Sequence, residues 1–202
     1  MKALFISLAI VIIDQFSKLY IKGISLPLLK IHHRGMYQGQ QIPLLDDLFN
    51  ITYIENPGIA FGINLGSTFK LLICIFTLIA VIALLIYFFR IKDKPFLFRF
   101  PLALIIGGAV GNLVDRMFYG IFYGYSNLFY GKVVDFFNIK ILNLMLFNRT
   151  IGNYVFNIAD LALTIGVIML LFVYNRKKGV NEEPSKELIA ETPALELSEN
   201  KD

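Results

Sequence analysis

The run LLICIFTLIAVIALLIYFF at residues 71–89 contains no charged side chain. About 20 consecutive apolar residues, coiled into an α-helix, are long enough to cross the hydrocarbon core of a bilayer. Together with the two residues before it, this run predicts a transmembrane helix from Phe69 to Phe89. The fold class then depends on how many further segments of this kind the chain contains.

Three other apolar stretches have a similar length, at residues 3–20, 96–114 and 154–174. The sequence of 202 residues is 56% hydrophobic and 17% charged, whereas a soluble domain is about 45–50% apolar and about 25% charged. We therefore predict an all-α membrane protein with four transmembrane helices. The first stretch resembles a secretory signal peptide, but it contains Asp14 and Lys18 and no Ala-x-Ala-like cleavage site follows, so we expect it to be retained.

Basic residues cluster at two places beside the predicted spans. They occupy the loop between spans two and three and the end of span four: Arg90, Lys92, Lys94 and Arg99, then Arg176, Lys177 and Lys178. Lys and Arg are enriched in the cytoplasmic loops of membrane proteins. We therefore expect both termini to lie in the cytoplasm.

Two longer connections, residues 21–68 and 115–153, face outward in this orientation. In the first, Phe49–Ile54 has the composition of a short strand. The second is rich in aromatic side chains, namely Phe118, Tyr119, Phe122, Tyr123, Tyr125, Phe129 and Tyr130. We interpret these rings as a belt at the membrane–water interface, where aromatic side chains are enriched.

The end of the chain differs from the rest in charge. Residues 179–202 contain seven acidic and two basic side chains, a net charge of −5, so the remainder of this +4 chain carries +9. Acidic composition with two prolines predicts a disordered segment. We therefore expect a membrane domain over residues 1–178 and a disordered cytoplasmic tail over 179–202.

Composition argues against several kinds of chemistry. The sequence has one cysteine, Cys74, and two adjacent histidines, His32 and His33, which do not make the ligand sets typical of zinc sites. The basic residues flank apolar segments instead of forming one stripe, which argues against nucleic-acid binding. We expect no metal and no other cofactor.

Four aspartates lie in or beside the apolar stretches: Asp14, Asp115, Asp135 and Asp160. A charged group at bilayer depth is costly and usually faces the bundle interior or a polar cavity. Two carboxyl groups brought together there can share one proton and activate water. Spacing alone leaves open whether Asp115 or Asp135 is the partner of Asp160.

Polar neighbours accompany the first two aspartates. Asp14 and Lys18 are four residues apart and lie on one helix face, either as a structural ion pair or as a group that binds substrate. Asn112 shares a face with Asp115. Arg116, next in the chain, can hold Asp115 ionised or meet a lipid phosphate.

The other two aspartates have different surroundings. Asp135 lies between valine and phenylalanine, where desolvation raises the pKa of a carboxyl group. Asn157 and Asp160 share a face at the start of the fourth span. Ahead of them in the chain, Gly107 and Gly111 have the small-x-x-x-small spacing that lets membrane helices approach closely.

Together these polar motifs resemble those of the lipoprotein signal peptidase family, also called signal peptidase II. Five motifs occur in the family's order: Asp14-Gln15-Phe16-Ser17-Lys18, Asn56-Pro57-Gly58-Ile59-Ala60-Phe61-Gly62, GGAVGNLVDR at residues 107–116, Val133-Val134-Asp135-Phe136 and Phe156-Asn157-Ile158-Ala159-Asp160. The resemblance extends over essentially the whole chain before the tail.

The resemblance implies a bacterial inner-membrane aspartic endopeptidase with four helices and an extracytoplasmic β-cradle between helices 1 and 2. It implies that Asp135 and Asp160 are the catalytic pair, near the outer face of the membrane. Other residues match positions that line or support the site: Asp14, Lys18, Asn56, Gly108, Asn112, Asp115, Arg116 and Asn157.

The resemblance also implies the partners. The substrate is a prolipoprotein whose cysteine carries diacylglycerol, and the signal peptide is cut just before that cysteine. Membrane lipids surround the enzyme, and the cyclic peptide globomycin is the implied inhibitor.

The sequence departs from the family's pattern in places, and two other functions compete with peptidase activity. Proline follows Asn56 where a small residue is usual, and the segments between Arg116 and Asp135 and between Asp135 and Asp160 are longer than typical. The alternatives are a small transporter or complex subunit whose carboxylates relay protons and a structural scaffold with buried ion pairs.

Overall fold

Long apolar helices form the body of the protein. The computed structural model describes residues 2–45, 48–58, 66–146 and 149–182. Its longest helices within these ranges are α1 (Lys2–Lys22), α2 (Gly66–Arg90), α3 (Phe96–Val114) and α5 (Ile158–Glu182). Helix α3 continues through a π-helical turn, Asp115–Tyr119, into the short helix α4, Gly120–Phe122.

Three of these helical segments in the described residues are long and apolar enough to cross a membrane: Lys2–Lys22, Gly66–Arg90 and Phe96–Phe122. They coincide with the first three predicted spans. The apolar part of the last helix is shorter, Ile158–Val173. The fourth span was predicted to begin at Tyr154, but residues 154–156 belong to a strand and the helix begins at Ile158.

Antiparallel strands cover one end of the helices. A two-stranded hairpin and a four-stranded sheet of order β3-β4-β5-β6 are built from β1 (Ile24–Leu26), β2 (Ile31–His33), β3 (Gln41–Leu45), β4 (Phe49–Asn56), β5 (Val133–Leu146) and β6 (Arg149–Phe156). The predicted strand at Phe49–Ile54 is confirmed as most of β4. Strands β5 and β6 come from the second long connection, so the sheet is not confined to the chain between α1 and α2.

Helix α3 lies at the centre of the bundle and packs against α1, α2 and α5. Its glycines permit these contacts, because a Cβ atom at Gly107 would lie 3.0 Å from the carbonyl oxygen of Ser7 in α1. A Cβ at Gly108 would overlap the carbonyl oxygen of Ala159 in α5. One at Gly111 would lie 2.6 Å from Asp14 Oδ2. The small-residue face therefore serves both neighbouring helices.

The core clusters show which helix ends lie together. Ala3 packs with Phe88 and Leu102 at the end that carries the basic loop of residues 90–99. At the opposite end, which we call the sheet end, Ile21 packs with Val134. Consecutive long helices therefore alternate in direction.

Parts of two sequence predictions concern residues that the structure does not describe. Helix α5 continues past Gly179, the predicted start of the tail, as far as Glu182. The rest of the tail, residues 183–202, lies outside the described residues. So do residues 59–62 of the Asn56 motif.

Candidate active site

The ammonium group of Lys18 is fully buried between two aspartates at the sheet end of the bundle. Its Nζ lies 2.8 Å from Asp14 Oδ2 and 2.9 Å from Asp115 Oδ2, and all three side chains are 0% exposed. The predicted pair of Asp14 and Lys18 therefore forms. The cation beside Asp115 is Lys18 of α1 and not Arg116.

Two carboxylates against one ammonium leave an excess negative charge, and further donors compensate it. The backbone N–H of Ala159 donates to Asp14 Oδ1 (2.9 Å), and that of Val134 donates to Asp115 Oδ2 (3.1 Å). The Gln15 amide donates to both carboxylates, at 3.2 Å to Asp14 and 2.8 Å to Asp115. Buried charges are tolerated when they are paired and hydrogen-bonded in this way. These bonds tie α1 to α3, α5 and β5.

Asn112 connects the buried charges to Asp160. Its Oδ1 accepts a hydrogen bond from Lys18 Nζ at 3.0 Å. Since an ammonium can only donate, this contact fixes which end of the amide faces Lys18. The Nδ2 of Asn112 therefore points the other way and donates to Asp160 Oδ1 at 2.7 Å.

Asp160 is held in place by the start of its own helix. Asn157 is the residue before α5, and its Oδ1 accepts the backbone N–H of Asp160 at 2.9 Å. Reciprocally, the backbone N–H of Asn157 donates to Asp160 Oδ2 at 3.2 Å. This arrangement is a capping box. The positive end of the helix dipole favours negative charge at this position.

Asp135 meets the same asparagine from the sheet. Its side chain is 4% exposed, and Asn157 Nδ2 donates to its Oδ1 at 2.7 Å. Asn56 Nδ2 donates to the other oxygen at 3.2 Å. In the antiparallel register, Asn56 is opposite Val133 and Asp135 is opposite Ile54, so Asn56 and Asp135 are diagonal neighbours on adjacent strands.

The two carboxyl groups therefore have different surroundings. Burial raises the pKa of Asp135, and the nearby carboxylate of Asp160 raises it further; hydrogen bonds from Asn56 and Asn157 oppose this, and the resulting pKa is about 7. Asp160 is only partly buried and lies in the first turn of a helix. Such a pair of carboxyl groups can keep one shared proton at pH values at which an isolated aspartate would be ionised.

Most of the residues predicted from the sequence lie in this one network: Asp14, Lys18, Asn56, Asn112, Asp115, Asp135, Asn157 and Asp160. Gly108 contributes by letting α5 approach α3. Arg116 is separate, because it lines a small pocket together with Lys70 and Gly58.

Sequence reasoning missed Gln15 and Tyr119. Gln15 bonds both buried aspartates and accepts the hydroxyl hydrogen of Tyr119 at 3.1 Å. The signal that could have identified Gln15 was its polar amide, which lies one residue from Asp14 and inside an apolar span. Tyr119 is 4% exposed, so this ring is part of the core and not of an interfacial belt.

The fold is found in solved proteins. Two bacterial membrane enzyme structures superpose with a TM-score of 0.61 each, at 31% and 30% sequence identity; they cover 86% and 90% of this chain, and 92% of each solved chain is covered. The fold and the buried polar site therefore define a multi-pass membrane enzyme.

The sequence comparisons give the family. The Signal peptidase (SPase) II family matches residues 6–175. The lipoprotein signal peptidase of Pelodictyon phaeoclathratiforme is 36% identical over 173 residues, which cover 85% of this chain and 88% of that protein. The one of Syntrophus aciditrophicus is 35% identical over 168 residues, 80% and 84% of the two chains. This chain belongs to the signal peptidase II family.

Family membership confirms the resemblance seen in the sequence. Signal peptidase II is a membrane peptidase that removes signal peptides from lipoprotein precursors. The chain is therefore a hydrolase with several apolar membrane helices.

Replacing Lys18 tests the buried charge cluster. The Lys18→Met variant leaves Asp14 and Asp115 without their cation, and removing one member of a buried ion pair typically costs about 3–5 kcal/mol. We expect a loss of this size in the free energy of unfolding, measured by denaturant titration in detergent micelles. Lys30→Met, at an exposed lysine, is the control and should unfold like the wild type. Equal stability of the two variants would contradict the assignment.

Proposed function

We propose that this protein is an aspartic endopeptidase that removes the signal peptide from diacylglyceryl-modified prolipoproteins, cutting before the lipidated cysteine. Asp135 and Asp160 form the catalytic dyad. The observation that carries the proposal is the bridge made by Asn157, whose side-chain amide donates to Asp135 and whose backbone N–H donates to Asp160, so that both carboxyl groups contact one residue where the sheet meets the bundle.

The surroundings assign a role to each carboxyl group. Asp135 is the member of the pair that holds the proton below its pKa of about 7, because burial raises that pKa and the neighbouring carboxylate of Asp160 raises it further. Asp160 is the base in this proposal, because it lies at the positive end of α5 and accepts a hydrogen bond from Asn112. Two neighbouring carboxyl groups that share one proton can act as acid and base.

The reaction then needs only water and the peptide. Asp160 removes a proton from water, whose oxygen attacks the scissile carbonyl carbon, while Asp135 donates its proton to the carbonyl oxygen. The resulting diol collapses as Asp160 gives its proton to the nitrogen of the cysteine, the carbon–nitrogen bond breaks and Asp135 takes a proton back from a hydroxyl. The products are the carboxylic acid at the end of the signal peptide, which then releases its proton to water, and the free amine of the lipidated cysteine. Both carboxyl groups return to their starting states.

The polar groups around the dyad support this chemistry without taking part in proton transfer. Asn56, Asn112 and Asn157 orient the two carboxyl groups. Lys18, which Asp14 and Asp115 hold in place, orients Asn112, and Gly108 lets α5 lie close to α3. Arg116 lines a small crevice beside Gly58, and we assign it a supporting role next to the turn that follows Asn56.

The charge distribution supports a placement in the membrane. The basic loop at residues 90–99 lies at the end opposite the sheet, so the positive-inside tendency puts that end in the cytoplasm. With α5 as the fourth span, both termini are cytoplasmic and the sheet and dyad lie at the outer face of the bacterial inner membrane. The membrane domain is residues 1–178, and the proposed cytoplasmic tail, residues 179–202, begins with the last four residues of α5.

The proposed partners follow from this placement. The acyl chains of the substrate remain among membrane lipids while the peptide enters between the sheet and the bundle. The cyclic peptide globomycin, the inhibitor that the family resemblance implies, is expected to block the same entrance.

Substitution of the dyad tests the proposed function. Asp135→Asn and Asp160→Asn keep the side-chain shape but cannot share or transfer the proton, so we expect each to reduce cleavage of a diacylglyceryl-prolipoprotein at least about 100-fold. Purified protein in lipid nanodiscs is assayed by the appearance of the mature lipoprotein. Asp93→Asn, in the basic loop, is the matched control and should retain full activity. Cleavage at the wild-type rate by either dyad variant, with the fold verified by thermal unfolding, would rule out the mechanism.

The pH dependence of kcat/KM tests the protonation states. Since the raised pKa of Asp135 is about 7, activity should decline as the pH rises through that value and the proton is lost. The Asn56 amide stabilises the ionised form, so Asn56→Ala raises the pKa of Asp135 further. We expect the alkaline decline to move about one unit to higher pH. A shift to lower pH would contradict this role of Asn56.

A further inference from the structure

A second charged cluster lies at the sheet end, separate from Lys18 and its two aspartates. We call it the Glu55 cluster, and its members are Lys22, Tyr53, Glu55, Tyr123, Tyr125 and Lys132. The Glu55 side chain is 11% exposed and that of Lys22 is 7% exposed. Glu55 Oε1 accepts from Lys22 Nζ and from the Tyr53 hydroxyl, the latter at 2.7 Å. Its Oε2 accepts from Lys132 Nζ at 3.0 Å.

Aromatic rings lie beside both cations, and the more buried Lys22 has three of them around its ammonium group. Lys22 Nζ lies 4.3 Å from the ring centroid of Tyr123, and Lys132 Nζ lies 5.2 Å from that of Tyr125. The hydroxyl of Tyr123 donates to the carbonyl oxygen of Gly23 at 2.8 Å. The backbone N–H of Lys132 donates to the Tyr125 hydroxyl at 2.9 Å. Cation–π contacts of this kind are stronger where the cation is shielded from water.

The carboxylate of Glu55 stays charged across the range in which the enzyme works. Burial raises its pKa, but hydrogen bonds from Lys22, Tyr53 and Lys132 outweigh burial and lower the pKa to about 2. The cluster is therefore a permanent ionic junction. It joins the end of α1, strand β4, the segment after α4 and the start of β5.

This junction lies next to the proposed dyad along both strands. Glu55 immediately precedes Asn56, which donates to Asp135. Lys132 lies three residues before Asp135 and directly before β5. In the register of β4 and β5, Glu55 is opposite Val134 and Asn56 is opposite Val133. The ion pair of Glu55 and Lys132 therefore fixes the two strands where they present Asn56 and Asp135.

We propose that Glu55 is a positioning residue for catalysis, which acts on Asp135 through Asn56. Its ion pairs hold the end of β4 against β5 so that the Asn56 amide reaches the Asp135 carboxyl group. The proposal rests on the proposed function of the dyad. The positioning role of Glu55 also assigns a role to the long segment between Arg116 and Asp135, because this segment supplies Tyr123, Tyr125 and Lys132.

The first test is the Glu55→Gln variant, which keeps the side-chain shape and removes the charge. We expect kcat for a diacylglyceryl-prolipoprotein to fall about 10-fold while KM changes less than about 3-fold, because geometry at the dyad is altered and the substrate entrance is not. Glu55→Asp, which keeps the charge, should recover part of the lost kcat. Asp93→Asn is the control and should leave kcat unchanged.

The second test asks whether Glu55 acts through Asn56. In an Asn56→Ala background, Glu55→Gln should reduce kcat by less than about 2-fold, since residues that act through one contact are not additive. If Glu55 is only a structural anchor, its effect on kcat is the same in both backgrounds. Lys132 is the more exposed of the two ion-pair partners of Glu55. The Lys132→Gln variant gives the same comparison if Glu55→Gln does not fold.

The outcomes separate the two proposals. Wild-type kcat in Glu55→Gln, with Asp135→Asn inactive, overturns the positioning role and leaves the dyad intact. An equal fold-loss in both backgrounds also overturns it. Failure of the wild-type protein to cleave the lipidated precursor overturns the proposed function itself.

Discussion

The structure depends on the burial of one ammonium group, that of Lys18, inside an apolar bundle. Burying this charge without a partner would cost a large free energy. The carboxylates of Asp14 and Asp115, both within hydrogen-bonding distance, compensate that cost. Those carboxylates in turn need the backbone N–H groups of Ala159 and Val134. Satisfying one cation therefore fixes α1 against α3, α5 and the first residues of β5. The glycines of α3 make this possible, because larger side chains would hold the helices apart.

The burial of Lys18 also determines the environment of the proposed dyad. Lys18 orients the Asn112 amide, Asn112 donates to Asp160, and Asn157 joins Asp160 to Asp135. The two carboxyl groups reach this point on different elements. One begins a helix, where its charge is favoured, and the other lies on a buried strand, where its proton is favoured. Helix bundle and sheet thus each contribute one half of the proposed acid–base pair.

The sequence predicted the parts of this site that depend on local spacing. Asp14 and Lys18 pair because four residues make about one helical turn, and Asp160 lies near Asn157 for the same reason.

Contacts between segments that are distant in the sequence were harder to predict. Arg116 was placed beside Asp115, but successive helix residues point in different directions, and Lys18 from another helix occupies that place. Strands β5 and β6 were missed because their apolar and polar residues do not alternate regularly, so neither segment shows the period of a strand. The proximity of Asp135 and Asp160 was indicated only by family resemblance, since it arises when the start of β5 meets Asn157, the residue before α5.

The most direct test of the shared proton is an infrared difference spectrum between the wild-type protein and Asp135→Asn in lipid nanodiscs. A protonated carboxyl group at position 135 gives a C=O stretching band that the variant lacks. We predict that this band is present at pH 6 and disappears as the pH rises through about 7. In the Asp160→Asn background it should disappear at lower pH, because the neighbouring negative charge is gone. A position 135 that is already ionised at pH 6 would contradict the account.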